Sequence, residues 1–130
     1  MTRKELLDAC REGVIELKEM ELQLRLLGHD GRPAGIRSIQ PDGIAGTNHP
    51  AAAVWQIADG LEACIARKRE EVGALTQQAL EMMTGITNLR TYLIVQHYYL
   101  MAETDDHIST QMALTRARVN QIRLRYLDAG

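Results

Sequence analysis

The chain has 130 residues, of which 45% are hydrophobic and 25% charged, a balance typical of one globular domain or of a small domain with an arm. Its 15 basic and 17 acidic residues give a net charge of −2, which excludes a strongly basic nucleic-acid coat protein and argues against wholesale disorder. Aromatic residues make up only 4% of the chain and phenylalanine is absent, so the composition favours helices over strands.

The sequence predicts a cytoplasmic protein with no membrane partner. Its two cysteines, Cys10 and Cys64, form neither a CxxC motif nor a Cys/His cluster, so neither a disulfide framework nor a zinc site is expected. Both cysteines lie on or beside apolar stripes and are expected to be buried, reduced thiols. The N-terminus passes directly into charged amphipathic sequence, and no apolar run approaches the length of a membrane span.

The first predicted element is an amphipathic helix over residues 3–27. Glu21 interrupts its apolar stripe. The stripe recurs at spacings of three and four residues, the period of a helix with one buried face. Its members are Leu7, Cys10, Val14, Leu17, Leu24 and Leu27.

Residues 28–50 are predicted to form a long loop. All three prolines and five of the ten glycines lie there, which is incompatible with a continuing helix. The run GHDGRPAG is not a phosphate-binding loop, because no Gly-Lys-Ser/Thr follows it and no strand precedes it.

A second long helix is predicted over residues 51–84. Its apolar positions alternate by three and four from Val54 to Leu93, forming a heptad seam that only Lys68 breaks. Two long helices joined by one loop are expected to pack as an antiparallel hairpin, so residues 1–85 form the first predicted domain. The seam is longer than the first helix can cover. This predicts exposed apolar surface near residues 75–83, and therefore a homo-oligomer or a partner-binding arm.

Three glycines, Gly13, Gly60 and Gly73, lie inside these two helices. Each costs up to about 1 kcal/mol relative to alanine, so they either mark close approaches between helices or are simply tolerated.

Residues 86–130 form the second predicted domain. Gly85, with threonines on either side, indicates a break, after which helices are predicted over 88–102, 105–112 and 116–127. Thr104 and Thr115 are expected to cap the last two helices. The whole chain is therefore predicted to be all-α: a long antiparallel helical hairpin followed by a three-helix unit.

The last two predicted helices fit a helix-turn-helix, in which two helices cross steeply around a short turn. That motif requires apolar residues where the helices face each other and a small residue where the chain turns. The first helix supplies Ile108, Ser109 and Met112, the turn Ala113 and Leu114, and the last helix Val119 and Ile122. An ordinary corner between two helices could imitate the same pattern.

The last helix carries four arginines and no acid before Asp128. Arginine, asparagine and glutamine pair with guanine and adenine edges, and flanking arginines suit phosphates. The alternative is a solvated basic helix that its own dipole stabilises. Base contacts are predicted for Arg116, Asn120 and Gln121, and phosphate contacts for Thr115, Arg118 and Arg123.

Residues 86–127 resemble the helix-turn-helix of sigma-factor region four, and still more the ArpU- and RinA-type late transcription activators of phages and prophages. The residues that carry the resemblance are Leu93, His97-Tyr98, Ile108-Ser109, Met112, Thr115, Val119, Ile122 and Leu127. The sequence departs from the family pattern at Ser109 and Ala113, and in the acidic run Glu103-Thr-Asp-Asp. The resemblance implies a phage-derived transcription regulator that binds double-stranded DNA, with RNA polymerase as a further partner.

No catalytic, cofactor-binding or metal-binding motif is found. The four histidines lack HExxH spacing, and neither serine lies in a GxSxG turn. We therefore expect a protein that is not an enzyme. Two alternatives to a DNA-binding regulator remain: a packaging protein resembling the small terminase subunit, and a helical adaptor that binds only proteins.

Overall fold

The computed structural model describes residues 1–28 and 50–129, with side chains for 1–28 and 55–129. Over this part of the chain the protein is all-α, with five helices and no strand. The helices are α1 (Arg3–Leu26), α2 (Pro50–Met83), α3 (Leu89–Val95), α4 (Asp105–Met112) and α5 (Arg116–Asp128), and a π-helical turn at Gln96–Leu100 continues α3.

Four of the predicted helices are confirmed, each with its ends within about two residues of the predicted ones. The helix predicted over 88–102 is an α-helix only to Val95 and continues as the π-helical turn to Leu100. The chain turns at 84–85, as Gly85 indicated. The predicted loop at 28–50 lies outside the described residues apart from its two ends, so the connection of the hairpin stays a prediction. The sequence pattern did not predict the π-helical turn, in which the N–H of Met101 donates to the carbonyl of Gln96 at 3.1 Å.

The chain forms two compact units. One contains Met1–Ile15 and Glu71–Gly130, and the other contains Glu16–Glu70. The sequence predicted a boundary at residue 85 instead. Because the first unit includes the start of α1 and the end of α2, residues 86–129 share their unit with parts of both long helices.

A first hydrophobic cluster in the Met1–Ile15/Glu71–Gly130 unit joins α1, α2 and the extended α3. Leu7 and Cys10 of α1, Ala79 and Met83 of α2, and Tyr99 of the π-helical turn are at most 1% exposed. Burying one large apolar side chain contributes roughly 1.5–3 kcal/mol. The prediction of exposed apolar surface along residues 75–83 is wrong for Ala79 and Met83, because Tyr99 and its neighbours cover them.

Gly13 marks a close approach between helices. A Cβ atom at Gly13 would lie 2.8 Å from Cγ2 of Val72, whereas a Cβ atom at Gly60 or Gly73 would meet no other described residue within 4 Å. Glycine is therefore required by packing at one of the three positions and tolerated at the other two.

Two polar residues that interrupt the apolar stripes, Lys68 and Glu21, form ion pairs within the Glu16–Glu70 unit. Lys68, which breaks the seam, forms an ion pair with Glu16 at 2.6 Å. Glu21, which interrupts the first stripe, forms an ion pair with Arg69 at 2.8 Å. Each interruption thus pairs with an opposite charge in the same unit, while Ile65 beside them is buried.

Two arginines of α1 hold the C-terminal elements of their unit in place. Arg11 stacks over the ring of Tyr98 at 3.9 Å and donates to the carbonyl oxygens of Tyr98 and Glu103. Arg3 stacks over the ring of Tyr126 at 4.2 Å and donates to its carbonyl oxygen at 2.7 Å. These contacts fix α3 and α5 against α1, so α5 is supported on a framework of three other helices.

Candidate nucleic-acid interface

The connection between α4 and α5 has the features of a tight turn between two capped helices. Thr104 caps α4 by accepting a hydrogen bond from the N–H of His107 at 3.2 Å. Thr115 caps α5 in the same way through the N–H of Arg118, at 3.1 Å. Between them Ala113 lies in the left-handed region, with φ 54° and ψ 42°, a conformation that ends a helix abruptly.

The apolar residues predicted for the helix-turn-helix lie together in a second hydrophobic cluster. Ile108 of α4, Val119 and Ile122 of α5 and Ile94 of α3 are at most 7% exposed, and Met112 and Leu114 pack against them. The cluster fixes which face of α5 is buried. It leaves an opposite face, which we call the reading face, open to solvent.

The reading face contains most of the residues predicted to contact bases. Arg116 and Gln121 are exposed, and so is Leu124 in the middle of the face, at 44%. Asn120 is half-buried at its edge. Thr115 and Arg118, predicted to contact phosphates, are also exposed.

Arg123 requires a correction. The sequence placed it on the flank of the exposed face as a phosphate contact, but the structure buries it, with 9% of the residue exposed. Its guanidinium donates to the hydroxyl of Tyr99 at 3.2 Å, stacks over the ring of Tyr98 at 3.9 Å and lies 3.6 Å from a carboxylate oxygen of Asp105. The Arg123 side chain cannot extend to a phosphate without breaking these contacts with Tyr98, Tyr99 and Asp105.

A signal for this burial was present in the sequence. Arg123 follows Val119 by four residues and precedes Tyr126 by three, so it lies on the apolar stripe of α5. The sequence did not indicate that Tyr98 and Tyr99 would be its partners. The π-helical turn rotates these two side chains away from the directions that an ordinary α-helix would give them.

The surroundings of Arg123 keep it charged. Burial lowers the pKa of the guanidinium, but the hydrogen bond to Tyr99 and the electrostatic interactions with Tyr99, Tyr98 and, least of all, Asp105 together outweigh burial, so the pKa lies above its usual value. Burial also raises the pKa of the Tyr99 phenol, which the arginine partly opposes. At neutral pH the pair is therefore an arginine cation donating to a neutral tyrosine hydroxyl.

Arg123 also orients Asn120. Its Nη2 atom donates to Oδ1 of Asn120 at 2.6 Å. Because a guanidinium has only donors, the oxygen of the amide must face Arg123, which leaves the amide NH₂ group for a ligand. The buried arginine thus acts on the reading face indirectly, by fixing one of its side chains.

The other two predicted arginines are held loosely. Arg116 forms an ion pair with Asp106 at 2.8 Å, and both side chains are 70% exposed. Arg118 donates to Oε1 of Gln121 at 2.8 Å. Exposed pairs of this kind contribute about 0–1 kcal/mol, so these side chains can exchange their partners for a ligand at little cost.

The acidic run Glu103-Thr-Asp-Asp at the start of α4 contacts basic side chains. Glu103 lies 3.0 Å from Nδ1 of His97, while Asp105 and Asp106 lie near the two arginines of α5 described above. Each of the three carboxylates therefore has a basic partner.

In the part of the chain with described side chains, no three His, Cys, Asp or Glu residues gather as they would around a metal ion. None of the described helices is both long enough and apolar enough to cross a membrane. Comparisons of the chain with protein-family models, with curated proteins and with solved structures found no significant match.

Proposed function

We propose that the protein binds double-stranded DNA sequence-specifically through α5 and regulates transcription. The observation that carries the proposal is the division of α5 into two faces. One face, with Val119 and Ile122, is buried against α3 and α4, and the other presents Arg116, Asn120 and Gln121. Arginine and glutamine form bidentate contacts with base edges in the major groove, and Asn120, whose oxygen accepts from Arg123, offers its NH₂ group as a single donor.

The supporting contacts divide by role. Arg116, Asn120 and Gln121 contact bases, while Thr115 and Arg118 contact phosphates near the N-terminal end of α5. The N-terminal end of a helix also favours an anion. Leu124, exposed among them, suits the methyl group of thymine.

The resemblance to ArpU- and RinA-type activators supports a role in phage or prophage transcription, with RNA polymerase as a second partner. A dimer that binds two half-sites is the usual assembly of helix-turn-helix regulators. The sequence argument for an oligomer was an exposed apolar surface near residues 75–83. That argument no longer applies to Ala79 and Met83, because both are buried within the chain. The oligomer and the packaging alternative both stay predictions.

The test is a selection of bound fragments from a random DNA library, followed by fluorescence anisotropy on the selected sequence. Arg116→Ala and Gln121→Ala should each relax the base preference, at a cost of about 1–3 kcal/mol in discrimination. Arg118→Ala should weaken binding to all sequences alike and lower the salt slope by about one unit. Arg67→Ala is the matched control, because Arg67 is an exposed arginine of α2 in the other unit.

Two results would overturn the proposal. One is no DNA binding by the wild type at low salt, and the other is unchanged affinity and preference in all three α5 variants while they remain folded. The exposed Leu124 favours the protein-binding adaptor as the second candidate, since an apolar side chain in the centre of a polar face is typical of a protein interface. The adaptor would be supported if the wild type binds a protein but no DNA, and if Leu124→Ser no longer binds that protein.

A further inference from the structure

A second arginine cluster lies beside the reading face. A cavity of about 260 Å³ opens between the start of α3 and one side of α5. Arg90 of α3 and Arg118 and Arg125 of α5 line it, and no acidic residue does. Sequence reasoning assigned no ligand contact to Arg90 or Arg125.

Three cations around one cavity repel each other, which an anion would relieve. All three arginines are exposed, and Arg118 donates one hydrogen bond to Gln121. Among the described residues, neither Arg90 nor Arg125 forms an ion pair with a carboxylate, unlike Arg116, which pairs with Asp106. The cavity therefore offers guanidinium groups that are open to a ligand.

The wall behind these charges strengthens their effect. Ile122 and Tyr126 of α5 also line the cavity, and Ile122 is only 7% exposed. An apolar wall lowers the local dielectric constant on one side of the site, so the attraction of the arginines for an anion is stronger than on an open surface.

The cavity lies beside the reading face, and this position indicates which anion it would bind. Arg118 precedes Gln121 by three residues and Arg125 follows it by four, so both arginines lie next to Gln121 on the helix surface. When a helix lies in the major groove with one face toward the bases, the residues on its flank face the groove wall, which consists of phosphates.

We propose that this cavity binds a phosphate of the DNA backbone, with Arg90 reaching it from α3 and Arg125 from the flank of α5. The inference rests on the proposed DNA binding and extends the interface to a second helix. It also replaces Arg123, which is buried, with two exposed arginines.

The test measures the salt dependence of binding to the selected DNA for Arg90→Gln and Arg125→Gln. Each variant should lower the slope of log affinity against log salt by about 0.9 and leave the base preference unchanged. Arg67→Gln, which removes the same charge from α2, should change neither. Circular dichroism and urea unfolding of each variant check that the fold is intact.

The outcomes separate this inference from the function it extends. If the wild type binds no DNA, both are wrong. If the wild type binds DNA and the slopes of both folded variants equal the wild-type slope, the cavity does not bind the backbone and only this inference fails. A further arm adds inorganic phosphate at constant ionic strength. If DNA binding by the wild type and Arg90→Gln is inhibited equally, the cavity is not the phosphate site, whereas weaker inhibition of Arg90→Gln supports it.

Discussion

Arg123→Ala should destabilise the protein by about 3 kcal/mol. The substitution removes the donors to Tyr99 and Asn120 and the cation beside Asp105. Each buried polar group left without a partner costs roughly 1–3 kcal/mol, and removing one partner of a buried ion pair costs about 3–5 kcal/mol. Among the described atoms, Nε of Arg123 and Oδ1 of Asp105 already lack a hydrogen-bond partner, so the pair is incomplete and the lower end of that range applies.

Arg116→Ala is the matched control. Arg116 lies on the same helix and pairs with the neighbouring carboxylate, Asp106, but both of its pair's side chains are 70% exposed. Solvent screens such a pair, so its loss should change the free energy of unfolding by less than about 1 kcal/mol. The two variants remove the same chemical group and differ in its burial.

Urea unfolding followed by circular dichroism measures both effects. A loss of about 3 kcal/mol is a large part of the 5–15 kcal/mol by which a domain is stable, so Arg123→Ala should unfold at a clearly lower urea concentration. The reasoning is refuted if Arg123→Ala and Arg116→Ala lose equal stability. In that case Arg123 would be solvated in solution and available to DNA after all.

Two further predictions concern the backbone and use the same urea assay. Gly13→Ala should destabilise by about 1 kcal/mol, because overpacking against Val72 outweighs the helix propensity gained, whereas Gly73→Ala should be stabilising by up to about 1 kcal/mol. Shifts of the same sign in the two variants would contradict the close approach at Gly13. Ala113→Gly should stabilise by about 1 kcal/mol, because alanine at φ 54° is strained and glycine is not. A loss of stability in Ala113→Gly would show that the turn does not hold this conformation in solution.

The helices and the buried face of α5 were predictable because they follow from periodicity. Ile108, Val119 and Ile122 recur where a helical stripe requires them, and all three are buried. The threonine caps were predictable for a local reason as well, since the side chain of Thr104 or Thr115 bonds to an N–H only three residues away.

Contacts between residues distant in sequence were not predictable. The cover over Met83 depends on Tyr99, whose position is set by a π-helical turn that no spacing in the sequence indicates. Likewise Arg90 and Arg125 are 35 positions apart in the numbering, and only the packing of α3 against α5 brings them to one cavity.

The four arginines of α5 show why composition alone does not locate a binding surface. All four increase the positive charge of the helix equally, but they differ in what surrounds them. Arg116 and Arg123 lie two turns apart on nearly the same side of the helix, and Arg118 and Arg125 lie two turns apart on another side. Arg116 is exposed beside Asp106, Arg118 and Arg125 line the cavity, and Arg123 lies inside the protein. Arg123 lies one turn after Val119, where Tyr98 and Tyr99 pack on it, whereas Arg116 lies at the exposed start of the helix. Arg123 therefore stabilises the fold and orients Asn120, and the other three arginines are exposed.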